Sequence, residues 1–184
     1  MDRRLFLQFP LVAAAMIKSI DLKSADRSEK GFKVASGTDR FLKGLDLMGG
    51  QFDCLISAKD TGGDLLVYNT FRNEKGGPAF HLHHFQDEWF FVIKGEFIVR
   101  VGDEFINLKP GDSAFAPRKV PHTFAKINDD PAQMLVLFQP AGSMEDFFLQ
   151  TSKLGKSIPK DQEKVLKELF KQHGMELVGP PLKV

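Results

Sequence analysis

Gly76-Gly77-Pro78-Ala79-Phe80-His81-Leu82-His83-His84-Phe85-Gln86-Asp87-Glu88-Trp89-Phe90-Phe91-Val92-Ile93-Lys94-Gly95 is the stretch on which the fold turns. It reads as a strand over 79–84, a short turn, and a second strand over 88–94 that ends in the tight-turn pair Lys94-Gly95. Successive side chains of a strand alternate between faces, so His81 and His83 project from the same one, where the small Ala79 leaves room beside them. Two imidazoles then converge. Glu88 follows His83 across the turn, at the head of the next strand, where a carboxylate reaches the same point.

The pattern continues on both sides. Between Gln51 and Gln139 the chain is a succession of short segments rich in Val, Ile, Leu and Phe, broken by Gly, Pro, Asn and Asp, with no sustained helical period. Further strands are predicted over 53–57, 64–71, 96–101, 104–108, 113–116, 122–128 and 133–139, joined by turns such as Gly102-Asp103 and Lys109-Pro110-Gly111-Asp112. Such spacing predicts an all-β sandwich or barrel. His122, after Pro117 and Pro121, adds a third imidazole from a later strand. Three nitrogens and one carboxylate oxygen make a site for a divalent transition metal with positions left for water or substrate. Singly, each residue also has a plainer reading: the histidine pair as surface alternation, Glu88 as a solvated edge residue, His122 as a turn residue bonded to backbone.

Composition limits the alternatives. Lys plus Arg number 25 against 24 Asp plus Glu in 184 residues, so no field of one sign exists to draw a nucleic acid or an anionic membrane. Cys54 is the single cysteine, which excludes an internal disulfide and any thiolate-rich metal or redox site. A bound metal must therefore be held by nitrogen and oxygen. Phenylalanine occurs 18 times beside one Tyr and one Trp, which predicts an interior lined by rings without polar handles.

Residues 1–44 are read as an N-terminal extension, 45–140 as the β domain and 141–184 as C-terminal helices and tail. Arg3-Arg4 before an apolar run to Ile17 resembles a twin-arginine export signal, with Ala13-Ala14-Ala15 as its small-residue site. Export to the periplasm is one expectation, cytoplasmic residence without a working signal the other. The run is too short and broken for a permanent membrane anchor. Ser143 is expected to cap a helix that stops near Gly155, and a second helix, starting near Pro159 and stopping at Gly174, repeats Val165, Leu166, Leu169 and Phe170 on one face. His173 is expected on the surface of its last turn, and the tail from Val178 to Pro181 is expected to be extended.

Gly76-x4-His81-x-His83-x4-Glu88-x6-Gly95 resembles the first motif of the cupin superfamily, and Gly111-Asp112-x4-Pro117-x3-Pro121-His122-x5-Asn128 resembles the second. The resemblance covers residues 75–130 and implies a double-stranded β-helix, a jelly-roll barrel, with His81, His83, Glu88 and His122 as ligands of one divalent metal: Fe, Mn, Ni, Cu or Zn. Lys119 departs from the motif, standing where glycine is common, and Asn128 comes two residues late. His84 is read as a non-ligand on the opposite face. The chain also resembles small single-domain cupins similar to quercetin dioxygenase.

Within such a barrel Phe90 and Val92 share the parity of Glu88, Phe124 shares that of His122, and Phe115 is expected to join them around a pocket for a flat or apolar small molecule. Trp89, Phe91 and Ile93 face the other way and are expected against a second sheet or a partner subunit, so a homodimer is expected. The resemblance implies a metal-dependent dioxygenase of a small aromatic or phenolic substrate, with Glu88 as ligand or catalytic base. The alternatives are a non-catalytic protein that binds a metal or small ligand, and a metal-assisted isomerase or lyase.

Overall fold

The computed structural model describes residues 27–155 and 163–184. The signal-like run 1–17 and Pro159 lie outside the described residues. Among the described residues the strands are β1 (Leu45–Leu47), β2 (Gly50–Ile56), β3 (Leu66–Arg72), β4 (Phe80–His83), β5 (Asp87–Lys94), β6 (Phe97–Val101), β7 (Glu104–Leu108), β8 (Ser113–Ala116), β9 (His122–Lys126), β10 (Ala132–Gln139) and β11 (Met175–Gly179). They form two facing antiparallel sheets, one of six strands in the order β1-β2-β3-β10-β5-β8 and one of five in the order β11-β4-β9-β6-β7. Among the described residues this is a double-stranded β-helix to which two α-helices are added, α1 (Met144–Ser152) and α2 (Glu163–Gln172).

Alternation builds the interior. On β5 the residues Glu88, Phe90 and Val92 are buried and their neighbours are not; on β10 Met134, Val136 and Phe138 do the same, in register with Val92, Phe90 and Glu88. Phe97 and Val99 of β6 face them from the other sheet, both fully buried. Removing such side chains from water is the main favourable term in folding. Each strand spans the barrel once and carries its inward set to a fixed depth.

The C-terminal segment closes one end. Phe148 of α1 stacks within 4.6 Å of the Tyr68 ring centroid and 5.2 Å of the Phe52 one, and Phe147 meets Phe170 of α2 edge to face at 4.9 Å.

Three expectations for this segment need correction. Ser143 makes no side-chain cap on α1; the carboxylate of Glu145 instead takes the helix to the 3-10 turn at 58–61, accepting from Ser57 Oγ at 2.8 Å and from Ala58 N–H at 2.9 Å. His173 is buried rather than superficial, because its Nδ1–H donates to Ser143 O at 3.0 Å and its Nε2 lies 3.2 Å from Gln150 Nε2. Val165 stays about half exposed while Leu169 and Phe170 are buried, so the packed face of α2 is narrower than its apolar stripe. The tail also pairs: β11 adds an edge to β4, with Met175 opposite His83 and Leu177 opposite His81.

Candidate metal centre

Two strands of the five-stranded sheet and one of the facing sheet supply the site. His81 and His83 point inward from β4, and His122 of β9 stands directly across from His81 in the ladder. Glu88 enters from β5 in the six-stranded sheet, flanked in register by Phe138 on β10 and Ala116 on β8, the latter small enough to leave room. The ligand atoms of the four residues all lie within 4.8 Å of one another, and all four are buried. Their imidazole centroids are separated by 5.1 Å (His81–His83), 4.8 Å (His81–His122) and 5.3 Å (His83–His122).

The hydrogen bonds fix the tautomers. A backbone carbonyl only accepts, so His81 Nδ1–H donates to Ala79 O at 2.8 Å and His122 Nδ1–H donates to Val120 O at 2.9 Å. Both rings thereby turn Nε2 toward the cluster, the arrangement that orients a metal-ligating histidine. Burial, and then the neighbouring imidazoles of His122 and His83, pull His81 down to about 3, so at neutral pH it is uncharged with a free lone pair. Glu88 Oε2 lies 2.8 Å from His122 Nε2 and 3.2 Å from His83 Nε2. Burial acts to raise Glu88, but the two histidines outweigh it and hold the carboxyl below its usual range; burial acts to lower His122, and the bond to Glu88 raises it instead.

His83 decides whether a metal fits. It is almost fully buried, yet neither ring nitrogen has an aligned hydrogen-bond partner among the described residues, and its approach to Glu88 is a contact rather than a directed bond. An orphaned buried polar group costs about 1–3 kcal/mol. A divalent ion among the three imidazoles and the carboxylate satisfies it, so the donor set suits a first-row transition metal.

A cavity opens beside the cluster, walled by His81, His83 and Glu88 on one side. Six phenylalanines line it: Phe52, Phe124, Phe138, Phe147, Phe148 and Phe170. Met48, Met144 and Met175 fill between them. The space open to the centre of a water molecule is about 30 Å³, enough for about two waters. Admission of an aromatic ring therefore requires side chains to move, and methionine, unbranched and polarizable, is suited to that.

Of the sequence-predicted pocket residues, Phe124 lies on the wall. Phe90 and Val92 are fully buried behind it, Phe90 with its ring centroid 5.7 Å from that of Phe124. Phe115 is a correction: it is 55% exposed on the outer face, because the inward positions of β8 are taken by Ala114 and Ala116, opposite Phe90 and Glu88. His84 is half exposed and outside the cluster, as its parity requires. Missed by the sequence reading are the capping rings of α1 and α2 and one cation on the wall, Arg72. The signal for Arg72 was its parity with inward-facing Leu66, Tyr68 and Thr70 on β3.

A two-sheet β-helix with three imidazoles and a carboxylate converging inside it defines a class of barrel with a candidate metal centre. The cupin-domain family model matches residues 70–138, a stretch that contains all four candidate ligands. Two curated relatives match in sequence. An uncharacterized protein of Methanocaldococcus jannaschii is 29% identical over 66 residues, 36% of this chain and 53% of that protein. An uncharacterized protein of Streptomyces coelicolor is 37% identical over 60 residues, 33% of this chain and 56% of that protein. The match spans about half the length of each. Among solved structures, an RmlC-like cupin from Shewanella frigidimarina superposes with a TM-score of 0.50 at 24% identity, covering 64% of this chain and 96% of that one. KdgF from a Halomonas species gives a TM-score of 0.48 at 24% identity, covering 53% of this chain and 86% of that one. These likenesses concern the fold.

Proposed function

We propose that this protein is a metal-dependent dioxygenase acting on a small aromatic or phenolic substrate. One observation carries the reading: His81, His83 and Glu88 of the buried four-residue cluster face a small cavity whose wall is built mostly of phenylalanine and methionine. A divalent ion held by these four residues supplies a Lewis-acidic, redox-capable centre for an ionised substrate oxygen and dioxygen. The protein's own groups do the rest. His81 and His122, oriented by their bonds to Ala79 and Val120, turn Nε2 toward the site, and His122 would give up the Nε2 proton it donates to Glu88 when an ion binds. Glu88 is ionised, as its lowered pKa requires, which suits it to be the fourth ligand; the same lowering makes it a weak base toward a substrate hydroxyl. The phenylalanines grip an apolar body and keep bulk water from the reacting atoms.

The test is dioxygen uptake by the protein loaded in turn with Fe(II), Mn(II), Ni(II) and Cu(II), against catechols, hydroxybenzoates and flavonols. Uptake on one substrate class, abolished in His122→Ala, supports the reading. Full loading with no uptake on any class overturns it and favours a metal-assisted lyase or isomerase, a reading supported so far only by Arg72 as a polar group on the wall. A homodimer belongs to the same proposal, formed through the outer face of the six-stranded sheet, where Trp89 and Phe91 stack at 5.6 Å and Phe115 and Ile93 lie exposed.

A further inference from the structure

Among the described residues, no carboxylate stands within ion-pair distance of the buried cation Arg72. The residue is 2% exposed, and burial draws the guanidinium down to about 10, still charged at neutral pH. Nη2 donates to Met48 O at 2.6 Å, but Nε and Nη1 have no hydrogen-bond partner among the described residues. The guanidinium carbon lies 5.5 Å from the Phe124 ring centroid, a contact that offsets only part of the desolvation. Room for the head group is made by two glycines of the β1–β2 turn. A Cβ on Gly50 would stand 2.8 Å from Nη1, and one on Gly49 would stand 3.2 Å from Nη2. Arg72 lines the same cavity as His81, His83 and Glu88.

A buried charge is expensive unless something pairs with it, and the described residues bring no carboxylate to this one. We infer that Arg72 is the anion-binding end of the substrate cavity, and that the substrate carries a carboxylate that its unpartnered N–H groups receive. This rests on the reading of the cavity as the substrate site and narrows it, from phenolic compounds in general to aromatic acids. Charge accounting supports a monoanionic carboxylate over a phosphate. The wall otherwise offers only apolar side chains away from the cluster, so a second negative charge on the same group would lie buried and unmatched. With a divalent ion among three neutral imidazoles and Glu88, the cluster is left with one positive charge, which matches an ionised hydroxyl at the other end of such a substrate.

The test compares charged and neutral probes of equal shape, acetate with acetamide and benzoate with benzamide, by calorimetric or NMR titration at neutral pH. It is run on the full chain, first metal-free, so that no ion receives the carboxylate. In wild-type protein the anion of at least one pair is expected to bind about tenfold or more tighter than its amide, the scale of a charge-assisted hydrogen bond. Arg72→Met is expected to erase that preference and Arg72→Lys to keep part of it, each with zinc stoichiometry unchanged. Equal binding of anion and amide in wild-type protein overturns the inference, and needs no variant to fold; so does a preference that survives in Arg72→Met. Failure of the dioxygenase reading is a separate result: anion preference with no dioxygen uptake leaves the subsite standing on an enzyme of another class.

Discussion

Cys54 sits in the core at 4% exposure, and burial, reinforced by the carboxylates of Glu145, Asp39 and Asp60, pushes its thiol up from 9.0 to about 12. The raised value has a thermodynamic consequence of definite sign. An unfolded chain ionises this thiol near pH 9 and the folded one does not, so its contribution is complete below pH 9 and is lost as pH rises from there toward 12. Urea unfolding at pH 7.5 and 10 is expected to show lower stability at the higher pH, with a smaller difference in Cys54→Ala. An equal difference in both proteins would contradict it. At this scale Lys119 is also informative. The motif departure flagged a lysine where glycine is common, and the residue adopts φ +67° while its N–H donates to His83 O at 2.7 Å, so the loop keeps its shape and pins the strand that carries two candidate ligands.

At the scale of elements, the strands were legible and several contacts between them were not. β5, β7, β8 and β10 follow from alternation and turn residues, to within a residue of the expected ends. β1 has only three residues and β11 exists by pairing with β4, far away in sequence, so neither leaves a local pattern. The convergence of His81, His83, Glu88 and His122 was legible from period two and the two motif spacings. Phe115 was misplaced because it was assigned by strand rather than by parity, and His173 because its partner Ser143 is remote in sequence. Arg72 was passed over because a cation at a strand end usually snorkels to solvent, and only the assembled barrel buries it. Helix α1 carries a long-range polar anchor, Glu145 to Ser57 and Ala58, beside its ring contacts. Glu145→Ala is expected to cost about 2 kcal/mol in chemical denaturation with metal content unchanged, since every candidate ligand lies on a strand. Loss of metal in that variant would place the anchor within the site.

For the whole molecule, the outer face of the six-stranded sheet and its interior make separate demands. Trp89, Phe91, Ile93 and Phe115 present apolar surface that a second copy would cover. Sedimentation is expected to give a dimer for the wild-type chain and a monomer for Phe115→Lys, with unchanged metal stoichiometry; a monomeric wild-type chain would contradict the proposal. The interior places all four candidate ligands on β4, β5 and β9, which are held by ladder pairing and by the apolar core, so the barrel is expected to fold with or without an ion. The metal assignment is therefore decided by elemental analysis of wild-type, His83→Ala and His122→Ala proteins purified without chelator, each checked for a β-rich circular dichroism spectrum. About one equivalent of transition metal is expected in the wild type and little in either folded variant. Full metal retention in either variant, or a wild-type protein that takes up no metal on reconstitution, would contradict the assignment.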